Sequence, residues 1–124
     1  MSTKSKKLLE EVDGALAITG NLSLSGGLFA STDEITNGDS PYAVATGDYT
    51  ILCDCSGGAI EVDFPAAADN TGRILTIKKI DSSVNAVTVD GNAAETIDGA
   101  TTLVFSNQWD AYKLQCDGTA WYII

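Results

Sequence analysis

Cys53 and Cys55, with Cys116 far along the chain, are the side chains best suited to covalent or metal chemistry, and no histidine accompanies them. A structural zinc site takes four nitrogen or sulfur ligands, and three cysteines fall short of that. On a strand, positions i and i+2 share a face but splay apart, so a Cys53–Cys55 disulfide is geometrically poor. The three thiols read as small buried apolar groups in a reducing compartment. Asp90, Asn92, Glu95 and Asp98 offer oxygens to a calcium ion, but their spacing departs from a helix-flanked calcium loop. Most carboxylates instead sit at turns (Asp90, Asp98, Asp117) or at alternating outward positions (Glu61, Asp63), where they form turns and solubilise. A carboxylate pair suffices for glycoside hydrolysis. With no histidine as general base and no activated serine or cysteine, however, the expectation is a non-enzyme with no metal and no cofactor. Trp109 and Trp121 are candidates for stacking on a sugar, yet both fall among apolar residues in expected strands, which favours packing.

The elements that must position these residues begin with a short basic start. Lys4, Lys6 and Lys7 hold three of the seven bases; the rest of the chain sets four bases against all 17 acids. A body so acidic repels nucleic acid, and three lysines are too few to reverse that. No apolar run approaches the ~20 residues needed to cross a bilayer. No apolar stretch of the secretory kind follows the basic start, so a leader is not expected. Hydrophobic residues make up 44% of the 124, enough for one packed domain with an extension.

Residues 1–13 read as an N-terminal arm, with a marginal helix over Lys4–Val12. Residues 14–31 follow as three six-residue units, each opened by glycine (Gly14, Gly20, Gly26). Leu16, Leu22 and Leu28 share the third position of the units; Ile18, Leu24 and Ala30 share the fifth. Hexads of this kind build β-assemblies, and three are only about one coil, too little to bury their own apolar face. The missing surface is expected from other copies of the chain. Residues 32–41 are rich in turn formers and acids and read as a linker.

Residues 42–124 are expected to be uniformly β. Tyr49–Cys55 and Ala59–Phe64 alternate cleanly and read as a hairpin across Ser56-Gly57-Gly58. Ala66–Gly72 holds a helical turn, and Arg73–Ile80 is a strand with Lys78 and Lys79 charging its end. Asp98-Gly99 is a hairpin signal, and Asp117-Gly118 reads as a type I′ turn joining the last two strands. Short strands at this spacing, without a long helix, predict an all-β fold: an antiparallel β-sandwich or jelly roll preceded by an extended arm. The apolar ending Trp121-Tyr122-Ile123-Ile124 must be covered on both faces, by a second sheet and another subunit or as a fully buried central strand within one chain.

From about Ala45 to Ile124 the chain resembles a module of tailed-bacteriophage virion proteins. Thr46–Leu52, Phe64–Lys79, Glu95–Ala100 and Asp117–Ile124 carry the likeness, and the hexads look like the glycine-punctuated shafts of phage fibres. The resemblance implies a trimer-forming β-sandwich with no catalytic residues. It leads to an expected virion structural protein, assembled in the host cytoplasm as a homotrimeric capsid decoration (cement) protein or short head fibre. Lys4, Lys6, Lys7, Leu8 and Leu9 would anchor it on the major capsid protein or another virion protein. Leu16, Ile18, Leu22, Leu24 and Leu28 would form the trimer interface of a stalk beneath a β knob. The alternative is a receptor-binding tail-fibre tip or adaptor that contacts a host surface glycan. Neither nucleic acid nor a membrane is an expected partner.

Overall fold

A computed structural model describes residues 18–124. The expected anchor residues Lys4, Lys6, Lys7, Leu8 and Leu9, the expected short helix and Leu16 of the stalk lie outside the described residues.

Nine strands, numbered in chain order, build the described residues. The first six alternate between two sheets: β1 (Thr32–Thr36), β3 (Thr50–Asp54) and β5 (Ile74–Lys79) lie in one. Between them, β2 (Tyr42–Ala43), β4 (Ile60–Asp63) and β6 (Val87–Asp90) lie in the other. Each of these strands runs parallel to its predecessor in the same sheet, so three successive two-strand rungs stack on one another. The chain then reverses. Strand β7 (Thr102–Phe105) pairs antiparallel with β6, and β8 (Ala111–Cys116) returns to the first sheet antiparallel with β5. Strand β9 (Trp121–Ile123) closes the edge beside β8. The sheet orders are β1-β3-β5-β8-β9 and β2-β4-β6-β7.

The fold is all-β, but its sheets are mixed rather than uniformly antiparallel. The expected hairpin of residues 49–55 with residues 59–64 is absent, because β3 and β4 belong to different sheets. Cys55 to Ala59 carries the chain from one sheet to the other instead of folding it back. Ile51, Cys53 and Cys55 then meet Ile60, Val62 and Phe64 across one core, which satisfies the same alternation that suggested a hairpin. Period-2 patterning reports which face is buried; it does not name the strand alongside.

Residues 32–41, expected as a linker, hold β1 and a 3-10 turn at Asn37–Asp39. Ile35 sits in the core, and β1 pairs with β3 along its whole length. Of the acids that suggested a linker, Asp33 is half-buried on the face of Ile35, Glu34 faces outward and Asp39 caps: its carboxylate accepts the Thr36 amide at 2.9 Å. That bond satisfies a donor on an open sheet edge, a position where free amides invite foreign strands.

The turns divide their roles differently from expectation. Asp98 and Gly99 both have positive φ (48° and 88°), and Ile97 and Ala100 exchange backbone hydrogen bonds around them. This is the type I′ pattern. At Asp117–Ala120, which joins β8 to β9, Gly118 is left-handed (φ 97°) and Thr119 is not, as in a type II′ turn. The helical turn expected over Ala66–Gly72 is present as a 3-10 turn at Ala67–Asp69.

Inward residues of both sheets make one core, with Ile51, Leu75, Ile77, Val62, Val87, Val89 and Leu114 fully covered. Each such side chain contributes about 1.5–3 kcal/mol relative to leaving it in water. Trp121 is fully buried, edge-on to Phe64 with centroids 4.6 Å apart. Lys79 is also inside, fully buried at the end of β5 rather than charging the strand end in solvent.

Candidate functional site

Residues 18–31 lead into β1 and belong to no strand, so the described hexads do not form regular β-structure within one chain. Their apolar side chains are open to solvent. Ile18, Leu22, Leu24 and Leu28 are 45%, 63%, 51% and 75% exposed. Phe29, which the hexad pattern passes over because it falls between repeat positions, is 95% exposed. Residues 14–31 contain no charged side chain. An uncharged, apolar arm beside an acidic body is an unsatisfied surface, since an exposed contiguous apolar patch marks an interaction site.

On the body the two outer faces differ in charge. The outer face of the four-stranded sheet aligns Ala43, Asp63, Asp90 and Thr102 in one row, and Glu61, Thr88 and Val104 in the next. Carboxylate oxygens of Glu61, Asp63 and Asp90 all lie within 4.8 Å of one another. The Asp63 Oδ1 atom is buried without a hydrogen-bond partner. A proton on Glu61 supplies one, and the Glu61 pKa is raised by that hydrogen bond first and by the negative charge of Asp63 second. The site binds a proton more tightly than an isolated glutamate does.

The calcium constellation weighed from sequence is not assembled. Glu95 turns both carboxylate oxygens to the Ala67 amide, at 3.0 and 3.2 Å. Asp98 accepts from the Ile123 amide at 3.1 Å, while Asp90 points outward to Asp63. Only parallel pairing of β4 with β6 could have revealed that Asp63 and Asp90 are neighbours.

The outer face of the five-stranded sheet carries Glu34 and Asp54 as well as Lys78 and Lys113, beside Thr50, Leu52, Ile74 and Thr76, so its charges balance. Among the described residues the other two bases are occupied. Arg73 donates to the carbonyls of Ala45, Thr46 and Asp48 at 2.6, 3.3 and 3.0 Å, and Lys79 is buried. Lys78 lies 5.6 Å from the Trp109 ring centroid and donates to the Trp109 carbonyl at 3.1 Å.

Trp109 corrects the sequence expectation. It is on a turn, not in a strand, and is 59% exposed rather than packed. The Asp110 amide bonds the Asn107 carbonyl at 3.1 Å, making Trp109 the third residue of that turn. Its φ of 74° belongs to a position that favours glycine. Trp121, by contrast, is the packed tryptophan that was expected.

At the other edge of the same sheet lies a shallow depression of about 230 Å³, lined by Gln115, Cys116, Asp117, Tyr122 and Ile124. Tyr122 and Ile124 are 46% and 61% exposed there. Asp117 does not point its charge into this space, because its Oδ1 accepts the Thr119 and Ala120 amides at 2.8 Å each.

The thiols are buried and unpaired, as the sequence suggested. Burial pushes Cys53 up to about 12, and burial likewise raises Cys55 and Cys116. A thiol so protonated is a poor nucleophile. Tyr42 is also pushed up to about 12, by burial and then by its 2.8 Å hydrogen bond to Asp48.

No family model matches the sequence, and a comparison with curated proteins likewise finds no match.

Proposed function

We propose that this chain is a virion structural protein of a tailed bacteriophage, a homotrimeric capsid decoration protein or short head fibre. The observation that carries the proposal is the exposed, uncharged apolar arm, Ile18 to Phe29, joined to a body with a complete core of its own. A body that needs no help to bury its core, beside an arm that does, is the division of labour of a knob on an assembly stalk. In this reading the two-sheet body is a β-sandwich knob. Leu22, Leu24 and Leu28 pack against other copies, and the basic start docks on the capsid. Binding only to the assembled shell, many copies stabilise it by mass action. The likeness of residues 45–124 to phage virion modules supplies the choice of partner.

Capsid binding by the full-length chain and by a chain lacking residues 1–13 tests the anchor. Loss of binding with an intact β-rich body supports it; equal binding by both removes it.

Trp109 favours a second reading, a tail-fibre tip that contacts host glycan. An exposed indole fixed beside Lys78 offers a stacking surface with a neighbouring cation. Host-cell binding that extracted surface glycan competes away, and that Trp109→Gly abolishes, would select this reading over the first.

A further inference from the structure

We infer that Phe29 of one copy seats in the depression beside Tyr122 of a neighbouring copy, so that the bodies join edge to edge in a ring. The inference rests on the self-assembly reading above and says where one copy grips the next.

Phe29 is 95% exposed and stands next to Leu28 in the chain. Adjacent side chains of an extended segment project to opposite sides. When the row Leu22, Leu24 and Leu28 turns into a stalk, Phe29 therefore points away from it and toward a body. Within its own chain Phe29 does not fill the depression, since it is 95% exposed. Phe29 precedes β1 by three residues, a reach of about 11 Å. Strand β9 lies at the opposite edge of the sheet, four strand spacings away, or about 19 Å.

The heights of knob and depression agree. Thr32 is level with Thr50, Thr76 and Lys113 across the sheet. Three residues back, Phe29 projects to the level of Cys116 and Trp121, which pair with each other. Gln115–Asp117 and Tyr122 line the depression at or beside that level, while Ile124 lines its far end, level with Lys113. A heterologous contact closes into a ring only when rotation brings complementary patches together without a residual climb. Here the knob leaves one edge and the depression opens at the other, at matching height. Aromatic side chains filling apolar pockets are the usual anchors of an interface. The uncharged arm also brings no carboxylate to a body already crowded with them.

The test uses the full chain carrying Phe29→Cys and Tyr122→Cys together, oxidised at micromolar concentration. The native cysteines are buried and do not compete. The expected result is covalent trimer and its linear intermediates on a non-reducing gel, while either single variant remains one chain long. In parallel, Phe29→Ser should weaken association at least tenfold, whereas Val84→Ser, at a 91% exposed site elsewhere, should not. Normal oligomers without cross-linking, with Phe29→Ser assembling as tightly as the parent, would overturn this contact and leave self-assembly standing. A single-chain sedimentation mass for the unmodified protein would overturn both.

Discussion

The Lys79 ammonium lies 2.9 Å from the Asp81 carboxylate, with the lysine side chain fully enclosed and the aspartate 9% exposed. The pair organises the connection from β5 to β6. Lys79 also donates to the carbonyls of Asp81 and Ser83, at 3.0 and 2.8 Å. Asp81 accepts the amides of Cys55 and Ser83, at 2.7 and 2.8 Å, and Asn85 donates to the Cys55 carbonyl at 2.8 Å. The network thereby ties this connection to the chain leaving β3. Removing one partner strands a buried charge, which costs about 3–5 kcal/mol. Asp81→Ala should lower the denaturation free energy by that order. A loss under ~1 kcal/mol would mean that the lysine finds water or another acceptor.

Two carboxyls set opposing pH trends. Glu61 is raised from its ordinary 4.5 by its hydrogen bond to Asp63 and by that residue's charge. Its contribution to stability is therefore complete below 4.5 and is lost as pH rises through the folded-state value. Burial pushes Asp81 up, but hydrogen bonds from Ser83, Lys79 and the Cys55 amide outweigh it and hold the carboxyl well below its ordinary 3.8. That contribution is present above 3.8 and fades as pH falls. Urea unfolding across this range should show the Glu61 component strengthening from neutral pH toward 4.5, and Glu61→Gln should flatten that rise. An unchanged pH profile in Glu61→Gln would count against the shared proton.

Trp109→Gly should leave the body folded and slightly more stable. A left-handed non-glycine residue costs about 1–2 kcal/mol, while an exposed cation–π contact returns only about 0.5–1 kcal/mol. A clear drop in thermal midpoint would show that the indole packs more than its exposure suggests.

Gly91→Ala should be costly although the added group is one methyl. A Cβ at Gly91 would drive into the Glu95 main-chain carbonyl, which has no flexible end to move aside. Overpacking of this kind typically costs about 1–3 kcal/mol. Gly47→Ala, where the space is open, is the control; equal losses at both sites would refute the steric account.

Paired Leu22→Ser and Leu28→Ser substitutions should dissociate the proposed homotrimer while leaving near-ultraviolet signals of the body unchanged. Both side chains are exposed within one chain, so the body has no packing to lose. An unaltered sedimentation mass would reduce the hexads to a spaced loop.

Much of this architecture was legible in local pattern. Ile60, Val62 and Phe64 had to face inward and Glu61 outward, because alternation is a property of the extended chain itself. Asp98-Gly99 announced a turn for the same local reason, as did the three cysteines their burial. The tertiary structure alone decided which strands are neighbours. It set Asp63 beside Asp90, separated β3 from β4 into different sheets, and drew Lys79 into the core where Asp81 and Ser83 could hold it. It also brought residues 115–117, Tyr122 and Ile124 around one depression. Such choices depend on where each connection crosses between sheets and on the partners available to a buried charge. Those are long-range energies, and the periodicity of a single strand carries no record of them.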